Sequence, residues 1–278
     1  MLRGQLLRAG LAMNLIAIRA ETESMAREAG GLLLSGAAAT NREVTTKSSV
    51  MDVVTETDKA SERLIVSRIT AAFPDDGILG EEGTSRPGST GRRWIIDPLD
   101  GTANFVRGRG TSVVSIGVEI DGQFAVGSVY DPFRDELFSA ATGTGAFRNG
   151  QRLPNRPAEL PLDRACVGLV GGYASWARTE RAAVASELLL RAGDMRYSGS
   201  AALDLCHVAA GRLDASYGNG CWVWDLAAGA VIAREAGCIV GGTTAGSEPT
   251  GDRMLAATPG LMPALRALVQ ESLASLDR

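Results

Sequence analysis

The chain of 278 residues carries a single histidine, His207. That scarcity excludes zinc sites built on two or three histidines. Cysteine is scarce too: Cys166, Cys206, Cys221 and Cys238 form no C-x-x-C pair. Without a secretory signal they read as reduced core thiols of a cytoplasmic protein. The opening segment MLRGQLLRAGLAMNLIAIRA lacks the unbroken apolar core and small-residue cleavage site of a signal peptide. Its first dozen residues can be read as an appendage, since Met13 would also serve as a start. No apolar run approaches the roughly 18 residues of a membrane span. Positive charge is not in excess, with 28 Lys and Arg against 32 Asp and Glu, which speaks against a nucleic-acid partner. Also missing are the G-x-x-x-x-G-K-[ST] phosphate loop, the H-E-x-x-H zinc helix and the G-x-S-x-G nucleophile elbow. GTGAFRNG has two close glycines, but it does not lie between a strand and a helix as a dinucleotide site requires. His207 sits in an Ala/Leu-rich helical stretch and reads as a core or helix-surface residue.

What remains is an ordinary globular composition, 45% apolar and 22% charged. The patterning predicts a helix over 12–36, a polar loop over 41–49, and a helix over 59–72. That second helix has Leu64, Ile65, Ile69 and Ala72 on one face and Pro74 at its end. A short strand and turn follow in GILGEEG, then a strand in RWIID that Pro98 is expected to break. TSVVSIGVEI and QFAVGSVYD flank Asp121-Gly122 as an antiparallel hairpin, and ELFSAA adds a third strand. Beyond a Pro-containing stretch at 150–161, strands and helices alternate, and Ser200 is placed to cap the helix that follows it. The alternation predicts an α/β or a layered α+β chain. It divides into an N-terminal half, 1–150, and a C-terminal half, 151–278.

Acidic residues gather at strand ends and helix starts in four stretches: TETD ending at Asp58, GEEG with Glu81 and Glu82, DPLDGT with Asp97 and Asp100, and WVWDLAAG with Asp225. Each has a purely structural alternative. Asp58 and Asp225 could cap helices, Glu81-Glu82 could be a solvated turn, and Asp97 and Asp100 could form an Asx turn around Pro98. Together they match what a hard cation asks for, about six oxygens from carboxylates, carbonyls and water. A carboxylate shared by two ions about 4 Å apart is the arrangement of two-metal phosphoryl chemistry. N–H groups at Gly101 and Thr102, if a helix opens there, could hold an anion.

GEEG, WIIDPLDGTANFV and WDLAAG resemble the three signature motifs of the inositol monophosphatase family of Mg²⁺-dependent, lithium-sensitive phosphatases. The resemblance extends through KSSVMDVVTETD, SVVSIGVEIDGQFAVGSVYDP, ATGTGAFRNG and GSAALDLCHVAAGRLDASY, from about residue 14 to 275. It implies a layered αβαβα sandwich, usually a homodimer, and a phosphoric monoester hydrolase acting on a small phosphorylated metabolite. Inositol 1-phosphate comes first as substrate. The alternatives are histidinol phosphate, fructose 1,6-bisphosphate or a nucleoside bisphosphate, and more remotely a non-catalytic regulator that binds metal or a phosphorylated metabolite. The resemblance also implies site roles. Glu81, Asp97 and the Leu99 carbonyl hold one Mg²⁺, and Asp97, Asp100 and Asp225 a second. A third, weaker site shares Glu81, with Glu82 nearby in the catalytic group. Mn²⁺ is the alternative cation. Thr102 with Asp58 positions and helps to deprotonate the attacking water, and the N–H groups of Gly101 and Thr102 hold phosphate. Lys47, Asp100, Gly199, Ser200 and Ala201 contact the substrate. One position departs from the family: a glutamate that binds ring hydroxyls commonly sits seven residues before the WD aspartate, and here that residue is Gly218.

Overall fold

The computed structural model describes residues 2–39, 44–46, 53–156 and 159–276. Helix α1 (Leu2–Ala38) extends further toward the N-terminus than the patterning predicts. Part of the expected polar loop is instead strand β1 (Val44–Thr46), paired antiparallel with β2 (Val53–Thr55). Helix α2 (Glu56–Ala72) starts three residues earlier than expected, because Thr55 and not Asp58 is its N-cap. Asp58 lies at the third helical position and accepts from the Thr55 N–H at 2.9 Å, closing a capping box. Ile65 and Ile69 are buried as expected, whereas Ala72, the last residue of the helix, is exposed.

Next come β3 (Gly77–Gly80), β4 (Ser85–Arg86), β5 (Arg92–Asp100), the short α3 (Thr102–Val106), β6 (Val113–Ile120), β7 (Gln123–Asp131), β8 (Glu136–Ala141), β9 (Gly145–Arg148) and β10 (Gln151–Arg152). They form one eight-stranded sheet in the order β10-β9-β8-β7-β6-β5-β3-β4. The β6–β7 turn places Asp121 at φ 49° and Gly122 at φ 80°, the left-handed pair that a two-residue hairpin needs. The second half supplies β11 (Cys166–Gly171), α4 (Ser175–Arg191), β12 (Asp194–Arg196), α5 (Ala201–Ala210), β13 (Ala215–Asn219), α6 (Val223–Glu235), β14 (Ile239–Gly241), β15 (Arg253–Ala257) and α7 (Met262–Ala274). Its five strands form a second sheet in the order β12-β11-β13-β15-β14.

Five layers result. Helices α1 and α2 cover the outer face of the large sheet. The pair α5 and α6 lies between the two sheets, and α4 and α7 cover the outer face of the small one. The middle pair must be apolar on all sides. Accordingly Ala201–Cys206, Val208 and Ala209 of α5 and Leu226–Ala233 of α6 are buried, with Asp204 the one charged residue among them. Helix α6 meets the large sheet at closest approach over Gly127, where a Cβ would stand 2.3 Å from the Ala228 carbonyl oxygen. Only glycine lets the two backbones come that near. This packing sets the depth at which the first turn of α6 faces the end of β5.

Candidate active site

Strand β5 is not broken at Pro98, as the sequence suggested, but bulged. Asp97 pairs with Ser115 and Asp100 with Val113, so Pro98 and Leu99 together oppose the single residue Val114. The consequence is geometric. Residues three apart on a regular strand point to opposite faces, and one inserted residue restores a common face. The bulge therefore turns Asp97 and Asp100 toward the same space. Proline fits here because it has no N–H to contribute to the ladder.

The backbone polar groups of the bulge are held internally. The Leu99 N–H donates to Asp97 Oδ1 at 3.0 Å. Ser61 Oγ of α2 donates to the Pro98 carbonyl at 2.9 Å, and Ser112 Oγ to the Gly101 carbonyl at 2.9 Å. Gly101 has φ 89°, a left-handed conformation open to glycine, and immediately precedes α3. Thr102 Oγ1 lies 3.1 Å from Asp58 Oδ1 and 3.0 Å from the Leu99 carbonyl oxygen. Its single proton can go to only one of them at a time.

Asp225 arrives from the other side, in the first turn of α6, where its Oδ2 accepts from the Trp222 N–H at 2.6 Å. Oxygen atoms of Asp97, Asp100 and Asp225 all lie within 4.8 Å of one another. Asp97 and Asp100 are buried, and Asp225 is half-buried. Glu81 stands beside them, just after the end of β3, and lines the same cavity. Burial, joined by repulsion from Glu81, Asp100 and Asp225, raises Asp97 well above the usual carboxylate range. Asp225 is raised by burial and by Asp100. Burial lifts Asp100 to about 6, against the pull of hydrogen bonds from Ser200 Oγ at 2.7 Å and the Ala202 N–H at 2.8 Å. Asp58, also buried, is shifted upward by burial. A group of acids that repel one another at this depth is completed by a cation, so the donor set fits a hard divalent ion.

These residues border a cavity of about 610 Å³. Glu81, Asp97, Leu99, Asp100, Gly101, Thr102, Gly199, Ala201 and Asp225 line it. Asp58 does not, and reaches the cavity only through Thr102. Glu82 is outside the lining, and its N–H donates to Glu62 at 2.7 Å. Ser200 is fully buried, and its hydroxyl caps α5 and binds Asp100 in place of a substrate. Lys47 lies outside the described residues. Gly218, the departure from the family pattern, is buried in β13. A Cβ there would meet Met254 Cε at 3.1 Å and Val170 Cγ1 at 3.4 Å.

Two supporting residues escape a reading of the sequence. Glu62, buried on α2, accepts from the N–H groups of Glu82 at 2.7 Å and Thr84 at 3.1 Å and from the Thr84 hydroxyl at 2.6 Å, holding the turn that presents Glu81. Asn104 Nδ2 donates to the carbonyls of Thr111 at 2.9 Å and Ser198 at 2.8 Å, tying α3 to the segment that carries Gly199. Nothing in the local sequence marks the first, since Glu62 shares its buried stripe with Asp58 and Ser61. Nothing local marks the second either. His207 lies away from the cavity, and burial pushes it down to about 4.

A carboxylate cluster gathered at a β-bulge, beside a Thr–Asp pair between layered sheets, fits the site of a metal-dependent hydrolase. The sequence matches the inositol monophosphatase family over residues 16–275. It is 40% identical over 264 residues to the Nus factor SuhB of Pasteurella multocida, covering 93% of this chain and 96% of that one. It is 39% identical over 271 residues to the inositol-1-monophosphatase SuhB of Mycobacterium tuberculosis, covering 91% and 93%. The solved structure of a Thermotoga maritima IMPase superposes with a TM-score of 0.82 at 32% identity, covering 91% of this chain and 96% of that one. The chain therefore belongs to the inositol monophosphatase family and is a phosphoric monoester hydrolase of the αβαβα type.

Proposed function

We propose that this enzyme is a Mg²⁺-dependent phosphomonoesterase whose reference substrate is inositol 1-phosphate, released as inositol and phosphate. The observation that carries the reading is the convergence of Asp97, Asp100 and Asp225 within 4.8 Å, beside the Thr102–Asp58 pair. Glu81, Asp97, Asp100, Asp225 and the Leu99 carbonyl are the groups that would hold Mg²⁺, with Mn²⁺ as the substitute. When bound, such cations neutralise the ester's charge and act as Lewis acids toward the leaving oxygen.

The chain's own groups do the rest. Asp58 accepts the Thr102 hydroxyl proton, which turns the Thr102 lone pairs toward a water in the cavity. That water attacks phosphorus, and its proton passes through Thr102 to Asp58. The N–H groups of Gly101 and Thr102, at the start of α3, bind phosphate oxygens. Gly199 and Ala201 border the space for the alcohol. The bond formed is water oxygen to phosphorus, and the bond broken is phosphorus to ester oxygen, so no covalent enzyme intermediate is required. The family's usual homodimer, in the cytoplasm, completes the proposal, and the four free cysteines suit that reducing compartment.

Phosphate release from inositol 1-phosphate, measured with Mg²⁺ and with EDTA, tests this. Turnover that needs the cation is expected. Absence of turnover on inositol, histidinol, sugar and nucleotide phosphates alike would overturn it.

A further inference from the structure

We infer that Asn104 is a positioning residue for the alcohol of the substrate: its side-chain amide holds the cavity wall at Gly199 against the phosphate cradle at Gly101 and Thr102. The inference rests on the phosphomonoesterase reading and deepens it, by naming a side chain that favours the alcohol without touching it.

The wall and the cradle come from distant parts of the chain, so contacts across the seam must fix one against the other. Asn104, 6% exposed in the first turn of α3, supplies such a contact. One nitrogen with two hydrogens bridges two carbonyls, that of Thr111 at 2.9 Å and that of Ser198 at 2.8 Å. A hydroxyl could donate to only one of them, and a carboxylate to neither. The backbone closes in on the same amide. Gly199 has φ 80°, and a Cβ there would stand 3.0 Å from Asn104 Nδ2. A Cβ on Gly101 would stand 2.8 Å from the Thr111 carbonyl oxygen and 3.3 Å from that of Gly199. Two glycines thus pack together beside one side chain, and both line the cavity.

The two sides depend on this amide unequally. The Gly101 carbonyl accepts from Ser112 Oγ at 2.9 Å and from the backbone N–H groups of Asn104 at 2.9 Å and Phe105 at 3.0 Å. None of these needs the Asn104 side chain. The Ser198 hydroxyl, by contrast, is used within its own turn, where it donates to the Ser200 carbonyl and accepts from the Ser200 N–H, both at 3.1 Å. Among the described residues, the Asn104 amide makes the one hydrogen bond that joins the backbone of Ser198 and Gly199 to the N-terminal half. A residue further on the wall is fixed independently, since Ser200 Oγ and the Ala202 N–H donate to Asp100 at 2.7 Å and 2.8 Å. Removing the amide therefore frees Ser198 and Gly199 while the cradle and Asp100 stay in place. A wall displaced by a fraction of an ångström loses its fit to a bulky alcohol, and a phosphate alone does not sense it.

The test compares two ligands by calorimetry with Mg²⁺ present: inorganic phosphate, and the non-hydrolysable phosphonate isostere of inositol 1-phosphate. Wild type, Asn104→Ala and Gly199→Ala are measured, alongside KM for inositol 1-phosphate. Asn104→Ala should raise the phosphonate Kd and the ester KM on the order of tenfold, the scale of one lost buried hydrogen bond. The Kd of inorganic phosphate should stay within about twofold, because the cradle keeps its own bonds. Gly199→Ala should show the same selective loss, since its methyl group is directed at the Asn104 amide; it also carries the comparison if Asn104→Ala does not fold. Both variants should melt earlier, which a merely structural role would also produce, so the selectivity between the two ligands is the deciding measurement. Equal weakening of phosphate and phosphonate, or an unchanged phosphonate Kd in folded variants, would overturn the positioning role. Failure of the underlying reading looks different: no ester releases phosphate, while the phosphonate still binds in an Asn104-dependent way.

Discussion

At the scale of single residues, the site puts acids where burial and mutual repulsion oppose their ionisation. Asp97 shows this most clearly, since it is 1% exposed and faces Glu81, Asp100 and Asp225. Asp97→Asn should have two opposite effects. Loss of a ligand shared by both proposed cations should lower kcat by more than about a hundredfold, because even groups that only support a metal ligand cost about 10–100-fold when removed. The metal-free variant should nevertheless melt at a higher temperature than metal-free wild type, since one of the repelling carboxyls is gone. Steady-state rates together with melting in EDTA check both. A variant with most of its turnover would remove Asp97 from the metal set. Asp58→Asn should lower kcat by about 10²–10⁴ and leave KM nearly unchanged, as expected for a proton acceptor that does not touch the ester.

At the scale of elements, the position of each acid depends on what sits behind it. The β3–β4 turn that bears Glu81 has Glu62 as its anchor, and Gly80 leaves room for it, since a Cβ there would stand 2.4 Å from the Glu62 carboxylate. Glu62→Gln places an amide against one of the N–H donors of Glu82 and Thr84. The Mg²⁺ concentration for half-maximal rate should then rise about 10–100-fold, with a smaller change in KM for the ester. A Mg²⁺ titration measures it, and an unchanged Mg²⁺ requirement would make Glu62 purely structural. The approach of α6 to the sheet gives a second element-level prediction. Gly127→Ala introduces a methyl group where Ala228 already stands, and should destabilise the fold by about 1–3 kcal/mol in urea unfolding. Neither relation could be read from spacing alone. Glu62 looks like one more charge on an amphipathic helix, and Gly127 like one more glycine in a strand. Each becomes legible only against a partner from another element.

At the scale of the whole molecule, one buried acid outside the cluster links stability to pH. Asp204, 1% exposed in the central helix layer, is raised by burial from 3.8 to about 7, against the opposing pull of the Ser198 side chain. Its folded form therefore holds a proton that the unfolded chain releases at lower pH. Native protein binds more protons at Asp204 than unfolded protein between those two values, so the contribution of Asp204 to stability falls as pH rises from about 4 to 7 and levels off above the folded-state value. Asp204→Asn should flatten that decline and gain stability relative to wild type at pH about 8, on the order of a few kcal/mol. Urea unfolding across that pH range checks it, and parallel curves for the two proteins would dismiss the role of Asp204.

The linear chain by itself determined the alternation of strands and helices, the Asp-Gly hairpin, the Ser200 cap and the acidic clusters, because periodicity and local hydrogen bonding are properties of neighbours in sequence. It also marked Asp97, Asp100 and Thr102 as one group, though it suggested a strand ending where the sheet contains a bulge. Which way those side chains point was decided by the tertiary structure. The pairing of β5 with β6 opposes two residues to one, and that mismatch alone turns both aspartates to a common face. Packing likewise brought Asp58 to Thr102 through α2 and Asp225 to Asp100 through α6, across stretches that no local rule connects. The same division explains Gly218. Counting residues back from the WD aspartate gives its place in the family pattern, whereas only the tertiary structure shows that it is buried in β13, with Val170, Cys221 and Met254 around the position of its missing Cβ.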